Sequence, residues 1–203
     1  LEADGLVDFV NVIRGSVATD TDLNDVIPIH GMPAAPHLDF AGRVRQQTDL
    51  PVLHASKIDD VATARHAIAD GKLDMVGMTR AHIADPHIVR KIIEGREAEI
   101  RPCVGATYCL DRIYQAGEAL CIHNAATGRE LSMPHDIPVA EAKKKVVVIG
   151  AGPAGLEAAR VAAERGHDGA VSTHNRQEPF ETGVGPFAGG GGGRKVGHGA
   201  EKR

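Results

Sequence analysis

Between residues 6 and 94, short apolar runs alternate with stretches of helical periodicity, and this alternation constrains the fold more than any other feature. Leu6 to Ile13 reads as a buried strand and residues 37–48 as a helix. Residues 50–54 (LPVLH) give a second strand, and 59–70 a helix with Asp at its start and Gly71 just past its end. Residues 73–78 (LDMVGM) give a third strand. The stretch 85–94 reads as a third helix, with Asp85 as N-cap, Pro86 in the first helical position and Gly95 as the stop. Strands that are apolar throughout, each followed by a helix, imply a parallel sheet covered by helices, because such strands bury both faces.

Residues 96–142 break the pattern. They are loop-rich, hold all three cysteines and end in a polar connector, with Lys143 to Lys145 a solvated linker face. A new unit starts at Lys145: residues 146–149 form a strand and 156–165 a helix. After His167 the periodicity collapses, and residues 169–203, with the run Gly189 to Gly193, read as irregular or disordered.

Composition narrows the function. The chain has 203 residues and a formal net charge of −4, so there is no electrostatic case for nucleic acid. No apolar run reaches the roughly 18 residues of a membrane span. The first residues lack the basic-then-apolar pattern of a secretory leader, and the expected compartment is the cytoplasm. Three cysteines, all between 103 and 121, do not make a secreted disulfide framework, and in an intracellular protein such a cluster points to metal or redox work.

Three motifs carry chemistry. In KVVVIGAGPAGLEAAR, residues 145–160, Gly150, Gly152 and Gly155 form G-x-G-x-x-G between a strand and a helix. The first glycine allows the tight turn, the second lets the backbone approach a pyrophosphate, and the third lets helix and strand pack closely. The acidic residue that should close a second strand about 20 residues on is not evident.

The cysteines Cys103, Cys109 and Cys121 are spaced C-x5-C-x11-C, which suits an iron–sulfur cluster. With His123 beside them, a Cys3His zinc site stays open, as does a set of three free cysteines.

The third motif is a phosphate site. The loop His54-Ala55-Ser56-Lys57 follows one strand and the loop Thr79-Arg80-Ala81 follows the next, the place where barrel enzymes bind phosphate after their last two strands. Ser56 and Thr79 offer hydroxyls and Arg80 a fork. A salt bridge from Arg80 to Asp85 is the competing reading.

His30, His37, His66, His82 and His87 have no ligand-like spacing, and Arg14, at the end of the first strand, is a lone basic residue. No catalytic acid or base is identifiable.

Taken together, the segment from Asp74 to Glu130, followed by residues 145–160, resembles the trimethylamine dehydrogenase / 2,4-dienoyl-CoA reductase group of old-yellow-enzyme-like NADH:flavin oxidoreductases. Its nearest branch is that of N-methylproline demethylase and dimethylamine dehydrogenase. The resemblance runs from Leu1 to His167, with barrel end, cysteine loop and fingerprint in the family's order. It implies an α/β fold in four parts. Residues 1–97 would be the C-terminal portion of an FMN-binding (β/α)8 TIM barrel, and 98–142 an iron–sulfur loop and linker. Residues 143–168 would be the first βα unit of a Rossmann-like FAD/NAD-binding domain, with 169–203 as tail.

It further implies FMN phosphate on Ala55, Ser56, Lys57, Thr79 and Arg80, a 4Fe–4S cluster on Cys103, Cys109 and Cys121, and FAD or ADP on Gly150, Gly152 and Gly155. The substrate would be a small amine or enoyl compound. Electrons would pass from FMN to the cluster, with an electron-transfer flavoprotein or NAD(P)H as partner and a homo-oligomer as the full-length assembly. The chain departs from the family at Ser56-Lys57, where Gly-Arg is usual, and at Ala106, where the methylamine dehydrogenases carry a further cysteine; a three-iron 3Fe–4S cluster is the variant this suggests. The early barrel strands, with the isoalloxazine contacts, are absent. The abrupt end of the resemblance near Asp168 has the form a reading-frame shift would produce. The alternative is a non-catalytic remnant or nucleotide-binding module, with a structural zinc or no metal.

Overall fold

The structure, a computed structural model, describes residues 2–172 and 185–186. It divides into two compact units, one up to Pro134 and one from His135 on.

In the first unit the order is β1 (Val10–Val12), α1 (Asp20–Val26), α2 (Leu38–Arg45), β2 (Val52–His54), α3 (Val61–Ala69), β3 (Met75–Val76), α4 (Thr79–Ala84), α5 (Ile88–Ile93), a 3-10 turn (Glu97–Glu99) and α6 (Tyr108–Tyr114). The three strands form one parallel sheet in the order β1-β2-β3, with Val10 opposite Val52 and His54 opposite Val76. Parallel strands need long crossovers, and α2 and α3 lie in them. Val52 and His54 face the same side, because side chains alternate along a strand, and both are fully buried. Val12, Leu38, Ala41, Ile58, Ala67 and Leu73 complete that core with Val52. Asp74 ties β2 to the segment before β3: its carboxylate accepts from the Val52 amide at 2.8 Å and pairs with Arg45 at 2.6 Å.

Several boundaries differ from the sequence reading, each for a local reason. β1 is shorter than 6–13 because Leu6, Phe9 and Ile13 are exposed, outside the paired stretch. Asp60, not Asp59, caps α3, accepting from the Thr63 amide at 2.8 Å. Asp85 is not the N-cap of a helix over 85–94. It follows α4, and α5 begins only at Ile88. Its carboxylate is drawn instead to Lys91 and to the amides of His87 and Arg101. Helices α4 and α6 lie in segments read as loop and α1 in one given no element, and each is too short, at six or seven residues, to show a full amphipathic period.

The second unit holds β4 (Lys145–Ile149), α7 (Pro153–Glu164), β5 (Asp168–Ser172) and β6 (Gly185–Pro186). β5 runs parallel to β4 in full register, Lys145 opposite Asp168 and Ile149 opposite Ser172, and β6 pairs antiparallel with β5. The reading of everything from Gly169 as irregular is therefore corrected for residues 169–172. D-G-A-V-S has weak strand propensity, and pairing along the whole of β4 decides its conformation instead. The positions that follow that strand, 173–184, lie outside the described residues, as does most of the expected tail.

Candidate functional site

β2 and β3 end side by side, and their following loops enclose a cleft of about 230 Å³. Ala55, Ser56, Lys57, Thr79 and Arg80 all line it, so the five residues assigned to phosphate from the sequence converge in one place. The loops meet closely because residue 77 is glycine: a Cβ there would stand 2.6 Å from that of Ala55. Lys57 adopts a left-handed backbone at φ 49°. Its ammonium turns away to the carbonyls of Ile29, at 2.9 Å, and Met32.

Two polar groups of the cleft are buried without a partner among the described residues: the Ser56 hydroxyl and Nη1 of Arg80. Ser56 is only 7% exposed. The other guanidinium nitrogen, Nη2, donates to the Pro28 carbonyl at 2.8 Å, which fixes the fork. The competing salt bridge does not form, since Asp85 pairs with Lys91. A buried donor left unmade costs about 1–3 kcal/mol, so a cationic donor and a hydroxyl held unpaired in one cleft fit an anion. Asp59 also lines the cleft. Burial pushes its carboxyl above the usual range, while nearby Lys57 pulls the other way.

The cysteines lie in the segment that follows. Cys109 is buried on α6, and Cys103 and Cys121 are half-buried. Burial pushes the Cys103 thiol up; the Gly105 amide and the charge of Arg80 oppose that. The His123 amide donates to the Cys121 sulfur at 3.4 Å, and the His123 ring Nδ1 donates to the Pro102 carbonyl at 2.8 Å. Amide donors to sulfur are what cluster thiolates use, so the residues fit a cluster in kind. Cys103, Cys109 and Cys121 are one ligand short of a four-cysteine set, and Ala106 offers none. Among the described residues, no three His, Cys, Asp or Glu side chains converge to hold a single metal ion.

In the second unit Gly150 has φ 106° and Gly152 caps α7 with Pro153 at its start. A Cβ on Gly155 would sit 1.9 Å from the Gly150 carbonyl. The turn therefore requires glycine at 150 and 155, whereas a Cβ on Gly152 would meet open space.

Residues of lesser promise take structural roles. The Arg14 guanidinium lies 5.3 Å over the Phe40 ring. His30, His37 and His82 donate to the carbonyls of Val104, Asp25 and Met78, and His66 lies 3.4 Å from Asp70. Sequence reasoning missed His54, fully buried on β2 with Nδ1 donating to the Val12 carbonyl and its basicity lowered by burial. It also missed Asn124, Thr127 and the true role of Asp85; no local pattern marks them.

The geometry defines an α/β protein with a cleft, lined by unpartnered polar groups, at the carboxyl edge of a parallel sheet. Residues 26–99 match the model of the NADH:flavin oxidoreductase / NADH oxidase family. Residues 145–198 match the glucose inhibited division protein A family. The chain is 70% identical over 168 residues to a protein described as "Probable N-methylproline demethylase" from Rhizobium meliloti (strain 1021), covering 83% of this chain and 25% of that protein. It is 52% identical over 176 residues to the "Multifunctional alkene reductase/demethylase OYE" of Caballeronia cordobensis, covering 86% and 25%. Among solved structures, histamine dehydrogenase from Rhizobium sp. 4-9 superimposes with a TM-score of 0.65 at 29% identity, covering 69% of this chain and 21% of that one. The chain thus spans about a quarter of the length of these curated relatives. Among the described residues, no helix is long and apolar enough to cross a membrane.

Proposed function

We propose that the chain is part of a cytoplasmic FMN-dependent oxidoreductase that demethylates or dehydrogenates a small amine, or reduces an enoate. In this reading residues 1–97 complete the end of a (β/α)8 barrel, 98–142 form an iron–sulfur loop, and 143–168 open a domain for FAD or ADP. The observation that carries it is the pair of unpartnered buried groups, Ser56 Oγ and Arg80 Nη1, in a cleft at the ends of two parallel strands.

FMN, when bound, supplies hydride and single-electron chemistry. The residues of this chain bind and orient its phosphate: Arg80 with its free fork arm, Ser56 and Thr79 with hydroxyls, Ala55 and Lys57 with backbone. Gly150, Gly152 and Gly155 present the turn for the second nucleotide. Cys103, Cys109 and Cys121 would hold a 4Fe–4S or 3Fe–4S cluster for one-electron transfer. An electron-transfer flavoprotein or NAD(P)H would be the redox partner, and the full-length protein a homo-oligomer.

The test is FMN titration followed by flavin fluorescence. Arg80→Ala should weaken binding about tenfold to a hundredfold, the value of a charge-assisted phosphate contact. FMN affinity unchanged by that substitution sinks the phosphate assignment. Iron and acid-labile sulfide, measured after anaerobic isolation, test the cluster separately; zinc without sulfide would favour the non-catalytic alternative.

A further inference from the structure

The end of α4 is the meeting point of three buried polar side chains. The Thr127 hydroxyl donates to the Ile83 carbonyl at 2.8 Å. The Asn124 amide Nδ2 donates to the Ala84 carbonyl at 3.0 Å. The Asp85 carboxylate accepts from the Arg101 amide at 2.9 Å and is held by Lys91. These residues are 8%, 2% and 3% exposed. Ile83, Ala84 and Asp85 are consecutive, so one short stretch of backbone receives all three.

The carbonyls of Ile83 and Ala84 belong to the last turn of a helix, where four carbonyls lack intrahelical partners. Side chains 40 and 44 residues away satisfy them here. Arg101 stands two residues before Cys103, and Asn124 three residues after Cys121. Segment 101–124, with every cysteine of the chain, therefore leaves and returns at the same point. The His123 ring closes that neck by its bond to the Pro102 carbonyl. Six helical residues span roughly 9 Å, and the opposite end of α4 carries Thr79 and Arg80 in the cleft.

We propose that Asp85, Asn124 and Thr127 are positioning residues that bolt the cysteine loop to the helix carrying Arg80, and so fix the thiols relative to the phosphate cleft. The functional meaning rests on the reading above, in which cleft and loop hold two redox groups; the bolt itself does not. A loop anchored to a neighbouring helix by both its arms keeps its thiols partly shielded. An unanchored one exposes them each time it opens.

The experiment measures thiol alkylation in the whole chain without cofactor, resolved by peptide mass spectrometry for each cysteine. Thr127→Val, which removes one buried hydrogen bond, should raise the alkylation rate of Cys103 and Cys121 about tenfold, and Asn124→Ala, which removes the bonds to the Ala84 carbonyl and from the Ala126 amide, by at least as much. Thr127→Ser, which keeps the hydroxyl, should stay at the wild-type rate. The circular dichroism spectrum should be unchanged in Thr127→Val. Unchanged thiol rates in both loss variants overturn the proposal. So does a Thr127→Ser variant as reactive as Thr127→Val, or thiol exposure that comes only with loss of the whole dichroism signal. Because no flavin or iron enters the measurement, failure of FMN binding would strike the functional reading alone.

Discussion

The two units are built from the same parts, a parallel strand followed by a helix, yet they bury them differently. In the first, β2 is closed: Val52 and His54 are inaccessible, and the polar groups Ser56, Asp85, Asn124 and Thr127 lie inside with them. In the second, Val147 and Ile149 on β4 are 68% and 84% exposed. The described residues buried there are Ala159 and Ala162. The difference teaches that a strand–helix pattern sets topology, while rigidity comes from what is layered on the sheet. A site made of side chains, as at Arg80, needs the packed unit. A site made of backbone, as at Gly150 to Gly155, needs only the turn.

The largest test of this contrast is a matched pair of carboxylate removals. Asp85→Ala should destabilise the first unit by about 3 kcal/mol, because it leaves the Arg101 and His87 amides and one face of the Lys91 ammonium without their acceptor, while the Glu99 carbonyl still holds Lys91. Asp168→Asn removes the partner of Lys143 from an exposed pair and should cost less than about 1 kcal/mol. Denaturant unfolding reads both, and equal effects would erase the distinction.

A second pair probes apolar burial. Val52→Ala should cost about 1.5–3 kcal/mol, and Ile149→Ala within about 0.5 kcal/mol, as at other surface positions. A large loss at Ile149 would show β4 to be buried in solution.

The smallest effect is pH dependence, and the two aspartates of the first unit oppose each other. Burial of Asp85 favours the proton, but Lys91 and the amides of Arg101 and His87 outweigh it and lower its affinity. Its stabilisation is therefore present above the ordinary aspartate range and is lost as pH falls through the lowered folded value. Asp59 is raised, mainly by burial, so its ionisation weakens the fold as pH climbs from the ordinary aspartate range through the raised value. Acid titration of stability should flatten at its low-pH end in Asp85→Asn and lose its opposing component in Asp59→Asn. Curves identical to wild type would refute both assignments.

Much of the site could be read from the chain. Ser56 and Arg80 follow apolar runs too continuous to be anything but parallel strands, and loops at adjacent strand ends must meet. Gly150 to Gly155 sit between a strand and a helix that each announce themselves locally. The reading failed where local signals were weak or false. Asp85-Pro86 imitates a helix start, but a carboxylate within reach of Lys91 and a buried amide goes to them. Residues 168–172 carry one β-branched side chain and still form β5, since β4 offers a complete ladder to pair with.

By itself the sequence determined the three strands of the first sheet, helices α2 and α3 between them, the glycine turn and five of the residues that line the cleft, because each follows from spacing within a dozen residues. The tertiary structure alone decided that Asn124 and Thr127 would serve the end of α4 and that Arg80 would keep one arm free. Those outcomes depend on partners 40 to 52 residues away along the chain. Burial, which gives such partners their energetic weight, exists only once the chain has folded.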